Sequence, residues 1–384
     1  MEVTGIICEY NPLHLGHKKQ FDAIKAAHPD AGIVCLMSGN YVQRGAPAIV
    51  DKSLRAKAAV LSGADLVLEL PITAALSSAE GFASEGVRIL SGFCNRLCFG
   101  AESADKDTLL ATVKALLSAE FSQHLRAELD KGLSFPAARQ AALQAMGVQA
   151  DILSHPNDIL ATEYCKAILQ QESSIEPMPI IREGNYHDTD IDPENPSATA
   201  LRQRMLSGGD WLSFVPEEAR GVFNNASLHG TEFGEQAIVY RLQTMTDEDF
   251  ENLPYGSEGL WRKLMHNTRQ FSTLEEIITA TKSKRYTRTR LDRMVMCAFL
   301  GITQKDIQTP APYVRVLALN DRGREILRIA RSTGLFPNPG EATGLPYEAL
   351  EHRAGMLYSL FARKGEPPYD ENSRRIYYQK EECI

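Results

Sequence analysis

The chain has 384 residues, 43% of them hydrophobic, and a formal net charge of −8 at pH 7. That length is enough for a large core and roughly two or three domains. The acidic balance excludes nucleic-acid binding by overall charge, so such a partner would need a local basic patch.

Seven cysteines without paired spacing read as reduced cytosolic thiols. Cys94 and Cys98 miss the C-x-x-C spacing of a zinc knuckle, and no His/Cys cluster follows them. No secretory signal fits the amino terminus, where Glu2 and Glu9 flank the first apolar run, and no stretch approaches membrane-spanning length. A cytoplasmic protein without a membrane or evident protein partner is expected.

Val3 to Cys8 is a short apolar run, predicted to be a buried parallel strand. Asn11-Pro12 marks a turn, and helical periodicity then runs from Leu15 to Ala27. His14-Leu15-Gly16-His17 therefore falls beyond the strand's carboxyl end, in the first turn of a helix. Backbone N–H groups point outward there, and the helix dipole favours an anion. Gly16, without a Cβ, lets a nucleotide lie close to the backbone. His14 and His17 share one helix face and can donate to phosphate oxygens whose charge grows in an in-line displacement. A histidine in so short a pattern is also an ordinary cap or surface residue; the strand-to-helix setting favours the chemical reading.

Ile33 to Met37 is a second strand, followed by a long glycine-bounded loop carrying Arg44. That cation is either plainly solvated or faces a ligand. Asp51 is expected to cap a helix over Lys52–Leu61, with Gly63 closing it. Asp65 to Leu70 is a third strand, Ala79 to Leu90 a helix, and Arg96 to Phe99 a fourth strand closed by Gly100. Such alternation predicts an α/β fold with a doubly wound parallel sheet, whose ligands bind beyond the strands' carboxyl ends. That edge would gather the H-L-G-H turn, the Arg44 loop and Gly100-Ala101-Glu102.

Residues 105–150 read as amphipathic helices. Asn157, behind Pro156, either caps a helix or holds a ligand such as an adenosine, the cap being the plainer reading. Ile175 to Ile181 is a fifth strand that delivers Arg182 to the same edge. After an acidic, proline-bearing loop over 188–196, Ser197 and Thr199 open a helix with Arg202 one turn further on. Their hydroxyls, N–H groups and cation suit a phosphate, although Ser197 alone is also a simple cap.

Beyond residue 220 the pattern is mostly helical, with a single strand at Tyr313 to Leu319. Lys282, Lys284, Arg285, Arg288, Arg290 and Arg293 set six cations against Asp292, interleaved by Tyr286. In an acidic chain, that density favours a phosphate-contacting surface with a stacking aromatic over a merely solvated face.

H-L-G-H with S-A-T-A-L-R resembles the nucleotidylyltransferase superfamily. Longer runs are similar to the bacterial tRNA(Met) cytidine acetate ligases: E-Y-N-P-L-H-L-G-H, M-S-G-N-Y-V-Q-R-G-A-P-A-I-V-D-K, G-A-D-L-V-L-E-L-P, F-G-A-E, N-D-I-L-A-T-E-Y and K-R-Y-T-R-T-R-L. They occur in order across residues 1 to about 300. The resemblance implies a Rossmann-like catalytic domain over 1–220 and a mainly helical tRNA-binding domain over 221–384. It implies that acetate and ATP form acetyl-adenylate, whose acetyl group passes to the N4 amine of the wobble cytidine of elongator tRNA(Met).

Carried over by position, the ATP contacts are Ile7, Cys8, Glu9, Tyr10, Asn11, Pro12, Leu13, His14, Leu15, Gly16, His17, Lys18, Lys19 and Gln20. Gly100, Asn157, Arg182, Ser197 and Thr199 join them. His14, His17, Arg182 and Arg202 would stabilise phosphate charge, with Mg²⁺ bridging the oxygens. Leu13 stands where the family often has Phe, and Asn185 departs from its A-G-Y-H pattern. The runner-up is an adenylyltransferase of cofactor synthesis, against which the basic run and the extra domain count. A third reading is an RNA-binding protein with a degenerate nucleotide fold, against which the intact His14, His17, Ser197, Thr199 and Arg202 count.

Overall fold

The computed structural model describes residues 1–102, 106–148, 151–181, 196–283, 286–337, 344–371 and 375–380. The first apolar run forms β1 (Val3–Cys8), and β2 spans Gly32–Ser38. β3 (Tyr41–Val42) and β4 (Ala46–Pro47) make a small antiparallel hairpin inside the Arg44 loop. β5 (Leu66–Leu70), β6 (Arg96–Ala101) and β7 (Glu176–Ile181) complete the parallel part of a seven-stranded sheet. Every residue of β2 is buried: Val34 and Leu36 enter one core, while Ile33, Cys35 and Met37 enter the other. Apolar runs without polar alternation are what a strand covered on both faces requires.

On one face, α1 (Leu15–Ala27) contributes Phe21 and Ile24, and α2 (Lys52–Leu61) contributes Ala56 and Ala59. Helices Ala79–Leu90 and Pro156–Gln170 cover the other face through Phe82, Val87, Leu90, Tyr164 and Ile168. The doubly wound sheet expected from the alternation is present. Its order is β7-β6-β1-β2-β5 before the additions described below, so the winding reverses between β1 and β6. Ligands favour the crevice at such a reversal.

Gly100 does not close β6; it lies within the strand opposite Ile180 of β7, whose parallel pairing extends β6 to Ala101. The chain after residue 220 is mainly helical and has a core of its own around Ile277, Leu291, Met294 and Phe361. It also returns two strands to the sheet. β8 (Val316–Asn320), overlapping the run expected at Tyr313 to Leu319, pairs antiparallel with β5, and β9 (Tyr377–Gln379) pairs parallel with β8.

The hairpin joins this helical part to the sheet. Tyr41 packs in the helical core and donates its hydroxyl to the Ala354 carbonyl at 3.0 Å, while Tyr358 donates to the Ala48 carbonyl at 2.8 Å. Gly45, at φ +78°, lies against the backbone of Asp292 and Arg293, where any Cβ would collide. Among the described residues, no helix is long and apolar enough to cross a membrane.

Candidate active site

Between β1 and α1 the chain makes a tight turn. Tyr10 adopts φ +46°, a left-handed conformation that costs a non-glycine residue roughly 1–3 kcal/mol. Its neighbours hold it there. Glu9 Oε1 accepts the Gln43 N–H at 2.8 Å, Asn11 Oδ1 accepts the Ile49 N–H at 2.7 Å, and the Tyr10 hydroxyl meets Cys35 Sγ at 3.3 Å. The Asn11–Pro12 peptide bond is cis.

His14 is the extended N-cap of α1, and His17 is its third residue. His14 Nδ1 accepts the Gly16 N–H at 3.1 Å, and His17 Nδ1 accepts the His14 N–H at 3.2 Å. With both Nδ1 atoms accepting, each neutral ring carries its proton on Nε2. The rings stack with centroids 3.8 Å apart. A Cβ on Gly16 would stand 3.0 Å from the His14 ring, so this glycine preserves the cap as well as the space above it.

The Ser197 segment reaches this turn from far along the chain. Ser197 caps the Ala198–Leu206 helix by accepting the Ala200 N–H at 3.1 Å. Arg202 donates to the Asn11 carbonyl at 2.8 Å and to Thr199 Oγ1 at 3.0 Å. Arg202, Thr199 and the H-L-G-H turn thus form one constellation: a helix start, two Nε2–H groups and a guanidinium.

On the other side of β1, Gln20 donates to the Cys98 carbonyl at 3.3 Å and ties α1 to β6. Asn157 is not a cap. Pro156 takes the first helical position, so His155 is the N-cap, and Asn157 Nδ2 donates to Glu102 Oε1 at 2.6 Å. Glu102 in turn donates its N–H to the buried Asp158 at 2.7 Å. Gly100, Glu102 and Asn157 therefore line the β6 flank of the crevice.

The rest of the predicted stretch divides by burial. Ile7, Tyr10 and Leu13 are core side chains, so only their backbone can meet a nucleotide. Lys18 pairs with Asp22 at 2.7 Å along α1, and Lys19 is exposed. Arg182 and Asn185 lie outside the described residues, as does most of the 188–196 loop.

The basic run is partly committed to the fold. Arg290 donates to the Tyr255 carbonyl at 2.7 Å and to Ser257 Oγ at 2.9 Å, and Arg293 lies 5.3 Å from the Tyr255 ring centroid. The Tyr286 hydroxyl donates to the Glu258 carbonyl at 3.1 Å. Arg288 pairs with Glu275 and Asp292, each at 2.8 Å, while Lys282 is exposed. Lys284 and Arg285 lie outside the described residues.

Sequence reasoning missed two cations on α2. Arg55 is fully buried and donates to the carbonyls of Val50 at 2.8 Å, Glu9 at 2.6 Å, Ser38 at 3.1 Å and also Gly39. It clamps the carboxyl ends of β1 and β2; burial pulls its pKa down, and nearby Tyr358, Asp51 and Glu9 oppose that pull. Lys52 sits between Glu69 (2.5 and 2.7 Å) and Glu371 (2.8 Å). Arg315 extends the network to Glu371 at 2.9 Å and Glu351 at 3.0 Å. Burial, then the Glu69 charge, pushes the Glu351 carboxyl up to about 7.

The arrangement at the turn sets a helix start, two imidazoles and a guanidinium at the carboxyl edge of the sheet, donors of the kind an anion requires. Among the described residues, no group of three or more His, Cys, Asp or Glu side chains could hold a metal ion.

Comparison with known proteins agrees with this geometry. The family model described as HIGH Nucleotidyl Transferase matches residues 1–369. A tRNA(Met) cytidine acetate ligase of Clostridium novyi is 38% identical over 358 residues, covering 88% of this chain and 89% of that protein. Its counterpart in Clostridium acetobutylicum is 35% identical over 402 residues, covering 98% of this chain and 99% of its own. Crystal structures of Thermotoga maritima TmcAL superpose with a TM-score of 0.90 for the apo form and 0.87 for the form bound with alpha-thio ATP. They are 28% and 27% identical, and each match covers 99% of this chain and 100% of the other.

Proposed function

The chain belongs to the HIGH nucleotidyl transferases and, within them, to the tRNA(Met) cytidine acetate ligases, and from that membership we propose that it is an ATP-dependent acetate ligase acting on elongator tRNA(Met). Acetate attacks the α-phosphate of ATP, giving acetyl-adenylate and pyrophosphate. The wobble cytidine then takes the acetyl group on N4 and releases AMP. Acetate is already ionised near pH 7 and needs no base in the first step. The protein's task there is positioning and charge stabilisation.

The observation that carries the reading is the Arg202 hydrogen bond to the Asn11 carbonyl. It places the S-A-T-A-L-R segment on the H-L-G-H turn, so a guanidinium and two imidazole Nε2–H groups can surround one phosphate chain. We assign His14 and His17 to the α-phosphate, and Arg202, Arg182, Ser197 and Thr199 to the remaining oxygens. The adenosine lies toward Gly100 and Asn157. Mg²⁺ would enter with the triphosphate and would neutralise part of its charge beside Arg202 and Thr199. Catalysis belongs to residues 1–220 and tRNA docking to 221–384, in a cytoplasmic setting.

The test is ATP-dependent transfer of labelled acetate to total bacterial tRNA, with ATP-only and tRNA-only controls. The expected product is label recovered as 4-acetylcytidine. ATP consumption with a cofactor precursor, and no label in tRNA, would replace the ligase with a small-molecule adenylyltransferase.

A further inference from the structure

An open cavity of about 450 Å³ lies on the opposite side of the turn from Gly100 and Asn157. Glu9, Asn11, Thr199 and Arg202 form its sheet end, and the β3–β4 hairpin forms one flank. Its far wall comes from 229–232 and from the helices Leu274–Thr281 and Arg288–Leu300. The cavity therefore runs from the phosphate constellation to the basic helix.

Topology separates this space from the adenosine side. The crevice between β1 and β6 holds Gly100, Glu102 and Asn157, whereas the cavity lies on the β2 flank of β1. A nucleotide with its base over β6 and its phosphates at H-L-G-H and Arg202 leaves the α-phosphate at the cavity mouth. An acyl group joined to that phosphate then faces the cavity, and an acceptor reaches the acyl carbon from there.

The walls suit a pyrimidine nucleotide. Val42 and Ile49 line the space from the sheet side, and Ile278 and Val295 from the helical side, so part of its wall is apolar. Arg44 stands on the hairpin flank for a neighbouring phosphate, and Arg288 reaches the space from the helical side already paired with Glu275 and Asp292. The volume falls within the roughly 300–1,000 Å³ of ligand sites. Glu9 supplies the discriminating group. One of its oxygens takes the Gln43 N–H, and the other has no hydrogen bond among the described residues.

We propose that this cavity receives the acceptor cytidine, swung out of the anticodon loop, and that Glu9 accepts a hydrogen of its exocyclic amine. The assignment rests on the ligase reading above. A carboxylate attracts the N4 amine of cytosine and repels the O4 that uracil presents there. In the transfer, the N4 atom bonds to the acetyl carbon while the bond from that carbon to the AMP oxygen breaks. AMP leaves with the electron pair, and the amine proton passes to Glu9 and on to solvent. An anticodon base is single-stranded, so little stacking opposes its entry.

The experiment compares acetate-dependent ATP–pyrophosphate exchange with acetyl transfer to elongator tRNA(Met). Ala46→Trp and Thr231→Trp fill the cavity from opposite, half-buried walls. Each is expected to retain exchange and to lose transfer by about tenfold or more. In Glu9→Gln, transfer should fall by about 10²-fold, on the scale of a lost general base. Exchange falling in step with transfer in both tryptophan variants would assign the cavity to adenylation and overturn the proposal. Unimpaired transfer in both would overturn it too. No acetate-dependent exchange in the unaltered protein would remove the ligase reading itself, a separate and recognisable failure.

Discussion

Two charged clusters border the carboxyl edge of the sheet, one sealed and one open. In the sealed cluster, Lys52, Arg315, Glu69, Glu351 and Glu371 satisfy one another, and Lys52 and Glu371 stand 319 residues apart. In the open one, backbone N–H groups occupy the Nδ1 atoms of His14 and His17, and Arg202 braces the turn ahead of them through the Asn11 carbonyl. The sealed cluster contains the more perturbed carboxyl groups, yet its charges face each other and can only fasten the carboxyl-terminal segment to the sheet. Beside the second cluster, Arg202 and Thr199 border an open cavity, and chemistry follows from such access more than from how far a group is shifted.

The largest expected effect comes from breaking the sealed side. Lys52→Met leaves Glu69 and Glu371 buried beside each other without their shared cation, a loss on the order of 3–5 kcal/mol. Urea unfolding would measure it. A loss below about 1 kcal/mol would mean that the cluster behaves like a surface pair and that the contrast is misplaced.

Next is the open side. His14→Ala and His17→Ala should each lower acetate-dependent pyrophosphate exchange by about 10²-fold or more, the scale of a lost transition-state donor. His14→Ala also removes a helix cap worth about 1 kcal/mol. His14→Asn sharpens the test, because asparagine restores the cap without restoring the imidazole Nε2–H. Stability recovering while exchange stays low separates the two roles; recovery of both would reduce His14 to a cap.

Acidity distinguishes the clusters again. Glu351 titrates near 4.5 when unfolded and is raised to about 7 when folded. Between those values the folded protein binds the proton more tightly. This group's stabilising contribution is therefore complete at low pH, declines as pH rises through the window, and is gone above it. Glu69, Lys52, Arg315 and Tyr313 face the carboxyl. Glu351→Gln retains an acceptor oxygen for Tyr313 and Arg315. It should flatten the slope and raise relative stability at about pH 8. Unfolding midpoints at two pH values would decide, and an unchanged slope would assign the titration elsewhere in the network.

The open site was readable because its core is local: strand, turn and helix follow each other within residues 3–27. The approach of Arg202 spans 191 residues, and only the resemblance anticipated it. The sealed cluster was hidden for the same reason of distance, since Lys52 in an alanine-rich helix looks solvated. One signal was present. Lys52 and Arg55 occupy the start of a helix, where the dipole opposes cations, on the same stripe as Ala56 and Ala59. The run at Tyr313 to Leu319 announced a strand, found at Val316–Asn320, but not its partner, because periodicity carries no pairing information. The cap reading of Asn157 failed by one small rule: proline at the first helical position makes the residue before it the cap.

The smallest effect on stability is expected at Arg288, which matches Lys52 in charge and in having two carboxylate partners, Glu275 and Asp292. The difference is water, since the Arg288 side chain is 44% exposed and that of Lys52 only 3%. Exposed pairs contribute about 0–1 kcal/mol, and a cation in a helix's first turn gains nothing from the dipole. Arg288→Ala should therefore leave the unfolding midpoint nearly unchanged. If Arg288, on the far wall of the cavity, is a phosphate contact, the same variant should weaken tRNA binding and reduce its salt slope by about 1. Titrations of tRNA at several salt concentrations would show this. An unaltered slope would confine Arg288 to its two carboxylates, leaving Lys282 and the neighbouring Lys284 and Arg285 to carry the phosphate contacts.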